Sequence, residues 1–296
     1  YYEMKKLLFL GILFLSQTLI AQIPYGSNTK VGKRVQVGDI SMYYEIYGKG
    51  EPLILLHGGY GSSEMMGGMI EAFSKKYQVI AVDSRSQGRT TDSDEKVLTY
   101  AQMALDVNGF MDKLQIKKAK FVGWSDGGDI ALELALIHPE KINKAVILGA
   151  NFTGEVSGVF IGVDTTWRMN PADPLFAKTK KELAKYFSTY ERMAPDKSKI
   201  ASAKKKATDN AYNNPKITLA QLNSIQVPFL VMAGDHDMFT IEHTIALYKN
   251  LPQASLYIVP DATHISPWEE PELVHAEILR YLGKPYRKLD PVYFWK

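Results

Sequence analysis

Lys120-Phe121-Val122-Gly123-Trp124-Ser125-Asp126-Gly127-Gly128 sets the frame for the whole chain. Lys120 to Gly123 predicts a short strand, and Asp126 to Ile137 a helix stopped by His138-Pro139. Between them lies G-x-S-x-G. A serine on so short a strand-to-helix turn takes a strained backbone, and its hydroxyl projects above the sheet edge. The flanking glycines leave room for helix and strand to pass close together. A Gly/Ser-rich turn without chemistry could carry the same letters; the strand before it and the helix after it give the motif its weight. Ser125 is the candidate nucleophile.

Outward from this turn the pattern alternates. Arg34 to Val37 and Ile40 to Tyr47 flank Gly38-Asp39 and predict a hairpin. Pro52 to Leu56 is a continuous apolar run entering His57-Gly58-Gly59, as a buried parallel strand would. Met65 to Phe73 predicts a helix and Gln78 to Val82 a strand. Tyr100 to Leu114 predicts a helix with Thr99 as N-cap and Gln102 at the capping-box position. Strands at Lys144 to Leu148, Pro228 to Ala233 and Ser255 to Val259 follow, with helices at Ile241 to Asn250 and Glu272 to Leu282. Such alternation predicts the α/β class: a mostly parallel central sheet flanked by helices. The rhythm breaks over residues 152–224, where Lys178, Lys180, Lys181, Lys185, Lys197, Lys199, Lys204, Lys205 and Lys206 punctuate apolar residues. This stretch predicts a helical insertion, its lysines a solvated face. The core is then 22–151 and 225–283, with a short aromatic tail at 284–296.

A serine hydroxyl is a weak nucleophile and needs a base, which needs an orienting acid. With the serine on such a turn, the acid and then the histidine follow later in the chain. Ala233-Gly234-Asp235-His236-Asp237 and Pro260-Asp261-Ala262-Thr263-His264 each follow a predicted strand. Asp235 and Asp237 both stand as acids at this point. Of the six histidines, His57 precedes the serine and His236 sits between the two aspartates. His138 ends a helix, and His243 and His275 fall on predicted helices. His264 alone combines the order with a loop after a strand. The developing oxyanion needs donors. The backbone N–H groups of Asp126 and Gly59 are the candidates, with Tyr60 the alternative to Gly59. Trp124, Asp126 and Tyr60 are the candidate substrate-binding residues. The glycine loop lacks the lysine of a phosphate-binding loop.

Together these residues resemble the α/β-hydrolase superfamily over roughly Val35 to Leu282. His57-Gly58-Gly59 is similar to its oxyanion loop and Gly123 to Gly127 to its nucleophile elbow. Asp83-Ser84-Arg85-Ser86-Gln87-Gly88-Arg89-Thr90 resembles its D-x-R-G-x-G-x-S loop, with Ser86 where glycine is usual. Gly234 to Asp237 matches the family's G-x-x-D, which makes Asp237 the implied triad acid ahead of Asp235. The resemblance implies an α/β-hydrolase fold in which the insertion is a cap that shapes the substrate pocket. Gly123 to Gly128 and Ile147-Leu148-Gly149-Ala150-Asn151 are similar to the valacyclovir-hydrolase (biphenyl-hydrolase-like) group. That likeness implies that Asp126 receives the α-amino group of an amino-acid ester. Aspartate in a helix's first turn is also favoured by the macrodipole alone, and both readings stand. Ser125 excludes the dehalogenase and epoxide-hydrolase branches, which carry aspartate there. The implied function is cleavage of a small carboxylic ester through an acyl-enzyme, without cofactor or metal. Hydrolysis of a carbon–carbon bond or an amide, and ligand binding without catalysis, are the other readings.

Composition is that of an ordinary soluble globular protein: 296 residues, 46% hydrophobic and 23% charged, with a net charge of +3. So small a charge and the lack of a nucleic-acid motif argue against nucleic-acid partners. With no cysteine, disulfides, thiolate metal sites and a cysteine nucleophile are excluded. Tyr1-Tyr2-Glu3 read as a remnant ahead of Met4. Residues 4–21 read as a signal peptide: Lys5 and Lys6, an apolar run from Leu7 to Leu15, and a small-residue exit at Ala21. The expectation is export with the signal cleaved and no stable membrane association afterwards; an uncleaved anchor is the alternative. The expected partner is a small-molecule substrate.

Overall fold

Two interleaved apolar sets run along the strands and explain why helices cover both sheet faces. Leu53 and Leu55 pack on one side, Ile54 and Leu56 on the other. A strand's side chains alternate between faces, so a strand apolar at every position must be covered twice. The computed structural model describes residues 23–93, 96–154, 181, 184 and 188–289. Its strands are β1 (Lys33–Val37), β2 (Ile40–Tyr47), β3 (Pro52–Leu56), β4 (Gln78–Val82), β5 (Ala119–Trp124), β6 (Ile142–Leu148), β7 (Phe229–His236) and β8 (Ala254–Thr263). They form one sheet in the order β1-β2-β4-β3-β5-β6-β7-β8. β2 is antiparallel to β1 and β4, and the strands from β4 to β8 are mutually parallel.

The helices, in chain order, are α1 (Gly67–Phe73), α2 (Tyr100–Lys113), α3 (Asp126–Ile137), α4 (Ile200–Asn213), α5 (Leu219–Ser224), α6 (Ile241–Asn250), α7 (Ser266–Glu269) and α8 (Pro271–Leu282). On one face α2, α3 and α6 pack Phe110, Leu134 and Leu247 against Ile54, Phe121 and Ile147. On the other, α1 and α8 pack Phe73 and Ile278 against Leu55, Val122 and Val146. The chain leaves β3 for β4 on one side and returns to β5 on the other. That is a topological switch point, where the loops after β3 and β5 diverge and open a crevice at the strands' carboxyl ends. Leu56 pairs with Gly123, so the glycine loop and Ser125 emerge side by side.

Thr99 accepts from the N–H of Gln102 at 3.1 Å, as expected of an N-cap. The Gln102 side chain does not return to the cap; it donates to Asp106 at 3.2 Å. Within 152–224 the described residues are helical at 188–193, in α4 and in α5. The entry and exit of this segment are tied by a bridge between Thr153 and Lys216 and by Ile217 N–H donating to Phe152 O at 2.9 Å. The expected signal peptide and the end of the tail lie outside the described residues. Among those residues no helix is long and apolar enough to cross a membrane.

Candidate active site

Ser125 sits between β5 and α3 at φ 53°, ψ −124°. That backbone conformation costs on the order of 1–3 kcal/mol and persists only where the surroundings enforce it. Here they do. Ser125 N–H donates to Leu148 O at 2.8 Å and Gly128 N–H to Ser125 O at 2.7 Å. The motif's glycines are dictated by contact: a Cβ on Gly123 would lie 2.2 Å from Gly127 O, and one on Gly127 2.2 Å from Leu56 O.

The structure brings Ser125, His264 and Asp237 together. His264 Nε2 lies 3.0 Å from Ser125 Oγ, and His264 Nδ1 lies 2.8 Å from Asp237 Oδ1. A carboxylate only accepts, so Nδ1 carries the proton and Nε2 is left to accept from the serine hydroxyl. Asp237 is 5% and His264 8% exposed, so this electrostatic pairing acts largely out of water. Asp235 points elsewhere. It pairs with the exposed ring of His236 at 2.7 Å and accepts from Asp261 N–H and Ala262 N–H, both at 3.1 Å, and so shapes the loop that carries His264 without reaching that ring. The structure thus separates the two aspartates that spacing left open.

Residues other than the triad hold the histidine in place. Trp124 Nε1–H donates to His264 O at 2.7 Å. Glu269, buried, accepts from Thr263 N–H at 2.7 Å and Thr263 Oγ1–H at 2.8 Å. Gly149 has φ +55°, and a Cβ there would lie 2.7 Å from the His264 ring. Trp124 was expected to face substrate. It is instead 3% exposed, its N–H taken by the His264 carbonyl and its ring packed edge-on against Trp268 at 4.6 Å. Its place behind the histidine comes from strand alternation: Ser125 turns upward, so the preceding side chain turns inward.

On the other side of Ser125, His57 is buried and accepts from Ser84 N–H through Nε2 at 3.0 Å, so its Nδ1–H donates to Gly58 O at 2.7 Å. Burial lowers its pKa and favours the neutral ring. His57 therefore braces the glycine loop. Gly59 lies over Asp126, where a Cβ would meet Asp126 Oδ2 at 2.7 Å. Gly59 thus packs against the residue that follows the serine, at the positive end of α3. Asp126 is 9% exposed and accepts from Tyr100 OH at 2.9 Å. Burial pushes its carboxyl up to about 6, against the Tyr100 hydrogen bond and the nearby His264, which favour the charged form. One turn on, burial and then the charge of Asp126 push Asp129 well above the usual carboxylate range, although it accepts from Asn151 N–H at 2.7 Å. The Tyr60 side chain reaches the 152–224 segment, its OH 2.5 Å from Thr208 Oγ1. Ser86 stands in the left-handed region at φ +63°, a conformation that favours glycine. Among the described residues no three His, Cys, Asp or Glu side chains gather in a group that could hold a metal ion.

Sequence reasoning missed Tyr100, Gly149 and Glu269. Gly149 had a signal, a glycine directly after an apolar strand. Tyr100 and Glu269 had none: the partner of Tyr100 is 26 residues away, and Glu269 serves the amide and hydroxyl of one threonine.

A fold and site of this kind define an α/β hydrolase, and comparison with known proteins agrees. The family model for the alpha/beta hydrolase fold matches residues 51–198, and the chain belongs to that family. It is 28% identical to the serine hydrolase BPHL of Homo sapiens, over 78% of this chain and 79% of that protein. It is also 28% identical to a 2-hydroxy-6-oxononadienedioate/2-hydroxy-6-oxononatrienedioate hydrolase of Paraburkholderia phymatum, over 83% of this chain and 92% of that protein. Among solved structures, a meta-cleavage product hydrolase from Pseudomonas fluorescens shares the fold, with TM-score 0.71, 22% identity, and coverage of 86% of this chain and 99% of that one.

Proposed function

We propose that this chain is a serine hydrolase that cleaves small carboxylic esters through an acyl-enzyme on Ser125. The observation that supports this is the pair of contacts joining Ser125 Oγ, His264 and Asp237 at 3.0 and 2.8 Å. His264 Nε2 takes the serine proton as Oγ bonds to the ester carbonyl carbon. The oxyanion accepts from the N–H groups of Asp126 and Gly59, with Tyr60 the alternative second donor. The carbon–alkoxy bond then breaks, and His264 returns the proton to the leaving alcohol. Water enters, gives its proton to His264 and attacks the acyl carbon, and Ser125 leaves reprotonated. Asp237 holds the imidazole in place and stabilises the imidazolium. Asp126 supports a preference for esters bearing a free amine, since an ammonium would favour the charged form that burial disfavours. The proposal keeps the chain exported, on the strength of Lys5, Lys6 and the apolar run that follows.

Ser125→Ala is expected to abolish turnover of a p-nitrophenyl ester, and wild-type turnover in that variant would overturn the assignment. A second reading, carbon–carbon bond hydrolysis, draws support from the likeness to the oxononadienedioate hydrolase. Comparing kcat/KM on simple esters, free-amine esters and vinylogous diketo acids separates the two.

A further inference from the structure

The loop that flanks Ser125 is held by the segment above it. Tyr60 follows Gly59 and adopts φ +59°, left-handed for a residue with a side chain. Such a backbone needs an anchor. Its phenol lies 2.5 Å from Thr208 Oγ1 on α4. The single hydroxyl proton of Thr208 is given to Lys204 O at 2.9 Å, so the proton between the pair comes from Tyr60, and Thr208 accepts. The Tyr60 ring also meets Tyr190 edge-on at 5.8 Å.

The neighbouring loop is held from the same segment. Ser86, also left-handed at φ +63°, gives its carbonyl to Tyr190 OH at 3.1 Å. Its hydroxyl donates to Asp92, which pairs with Lys206 of α4. The two loops join each other through Gly61 N–H donating to Gln87 Oε1 at 3.3 Å. Thr208, Lys206 and Tyr190 therefore grip both loops from above, and one of these loops carries the proposed oxyanion donor.

We propose that Thr208 is a positioning residue for the oxyanion hole. By accepting from Tyr60 it fixes the Gly59–Tyr60 peptide, so the seating of α4 sets how well the hole fits the tetrahedral intermediate. This rests on the reading of Ser125 as nucleophile. A donor displaced by a fraction of an ångström stabilises the transition state less while ground-state binding is hardly touched, so the effect falls on kcat and leaves KM.

The test measures kcat and KM on p-nitrophenyl acetate, and the rate at which a fluorophosphonate probe labels Ser125, in wild type, Thr208→Val, Thr208→Ser and Tyr60→Phe. Thr208→Val and Tyr60→Phe are expected to lower kcat and labelling rate by roughly tenfold with KM near wild type. Thr208→Ser, which keeps the acceptor, is expected to recover most of the rate. Wild-type kcat and labelling in Thr208→Val overturn the proposal, as does a change confined to KM or a serine variant no better than valine. If Thr208→Val does not fold, Tyr60→Phe decides by the same criteria. Full turnover in Ser125→Ala refutes the nucleophile reading instead. An inactive Ser125→Ala beside an undiminished Thr208→Val refutes only the positioning role.

Discussion

Asp126→Asn is expected to stabilise the folded protein, by an amount that grows with pH. Burial raises the Asp126 carboxyl from 3.8 to about 6, a shift of about 2 units (6 − 3.8), worth about 3 kcal/mol at 1.36 kcal/mol per unit. The sign follows from linkage. A group whose pKa is higher folded than unfolded supports folding fully below its unfolded value, and loses that support as pH rises through the folded value. Below pH 3.8 Asp126 is protonated in both states and asparagine has little advantage. Between pH 4 and 6 the unfolded chain ionises first, and the penalty on the fold grows. Above pH 6 both states are ionised and the penalty levels off. Asparagine cannot ionise and can still accept from Tyr100. Its stability advantage is therefore about 0.5 kcal/mol at pH 4 and about 3 kcal/mol at pH 8. Urea unfolding of both proteins at pH 4, 6 and 8, at fixed ionic strength, measures this. A constant difference across the range, or an advantage that shrinks as pH rises, refutes the buried-carboxylate account. On the proposed amine-recognition role, the same variant loses kcat/KM on free-amine esters but not on neutral ones.

Asp237→Asn is expected to lower kcat by up to about 10⁴, as loss of the orienting carboxylate does in triads of this kind, while Asp235→Asn loosens the His264 loop and costs far less. Steady-state kinetics of the two variants on one ester test this, and equal losses refute the assignment. Gly149→Ala places a methyl group 2.7 Å from the His264 ring on a φ +55° backbone. It is expected to cost about 10² in kcat through displacement of the imidazole, and an unchanged kcat shows that the ring does not depend on this contact.

Much of the fold was legible because the features that build it are local. Alternating strands, glycine turns and the Thr99 cap each act within a few residues. The elbow glycines are read from the motif and explained by backbone approaches of 2.2 Å. The acid was not decided locally. Asp235 and Asp237, two apart, would share a face in a regular strand, but the register shifts between Gly234 and His236 and sends them to different partners. Glu269 and Tyr100 are further from reach, since Glu269 serves a hydroxyl and an amide and Tyr100 binds a carboxylate 26 residues away. The obstacle is that carboxylates here do two kinds of work. Asp83 accepts from Ser63 N–H and Arg89 N–H, both at 2.7 Å, and Asp235 likewise accepts from two amides while also pairing with the exposed ring of His236 at 2.7 Å, so these acids act as loop organisers. Asp237 also takes an amide, Phe239 N–H at 3.2 Å, and its shorter contact is to the buried ring of His264. What distinguishes the triad acid is therefore not an imidazole partner alone, which Asp235 also has in exposed His236, but a buried pair whose ring reaches the nucleophile on its other side. That criterion is one of tertiary structure, and no spacing rule along the chain can stand in for it.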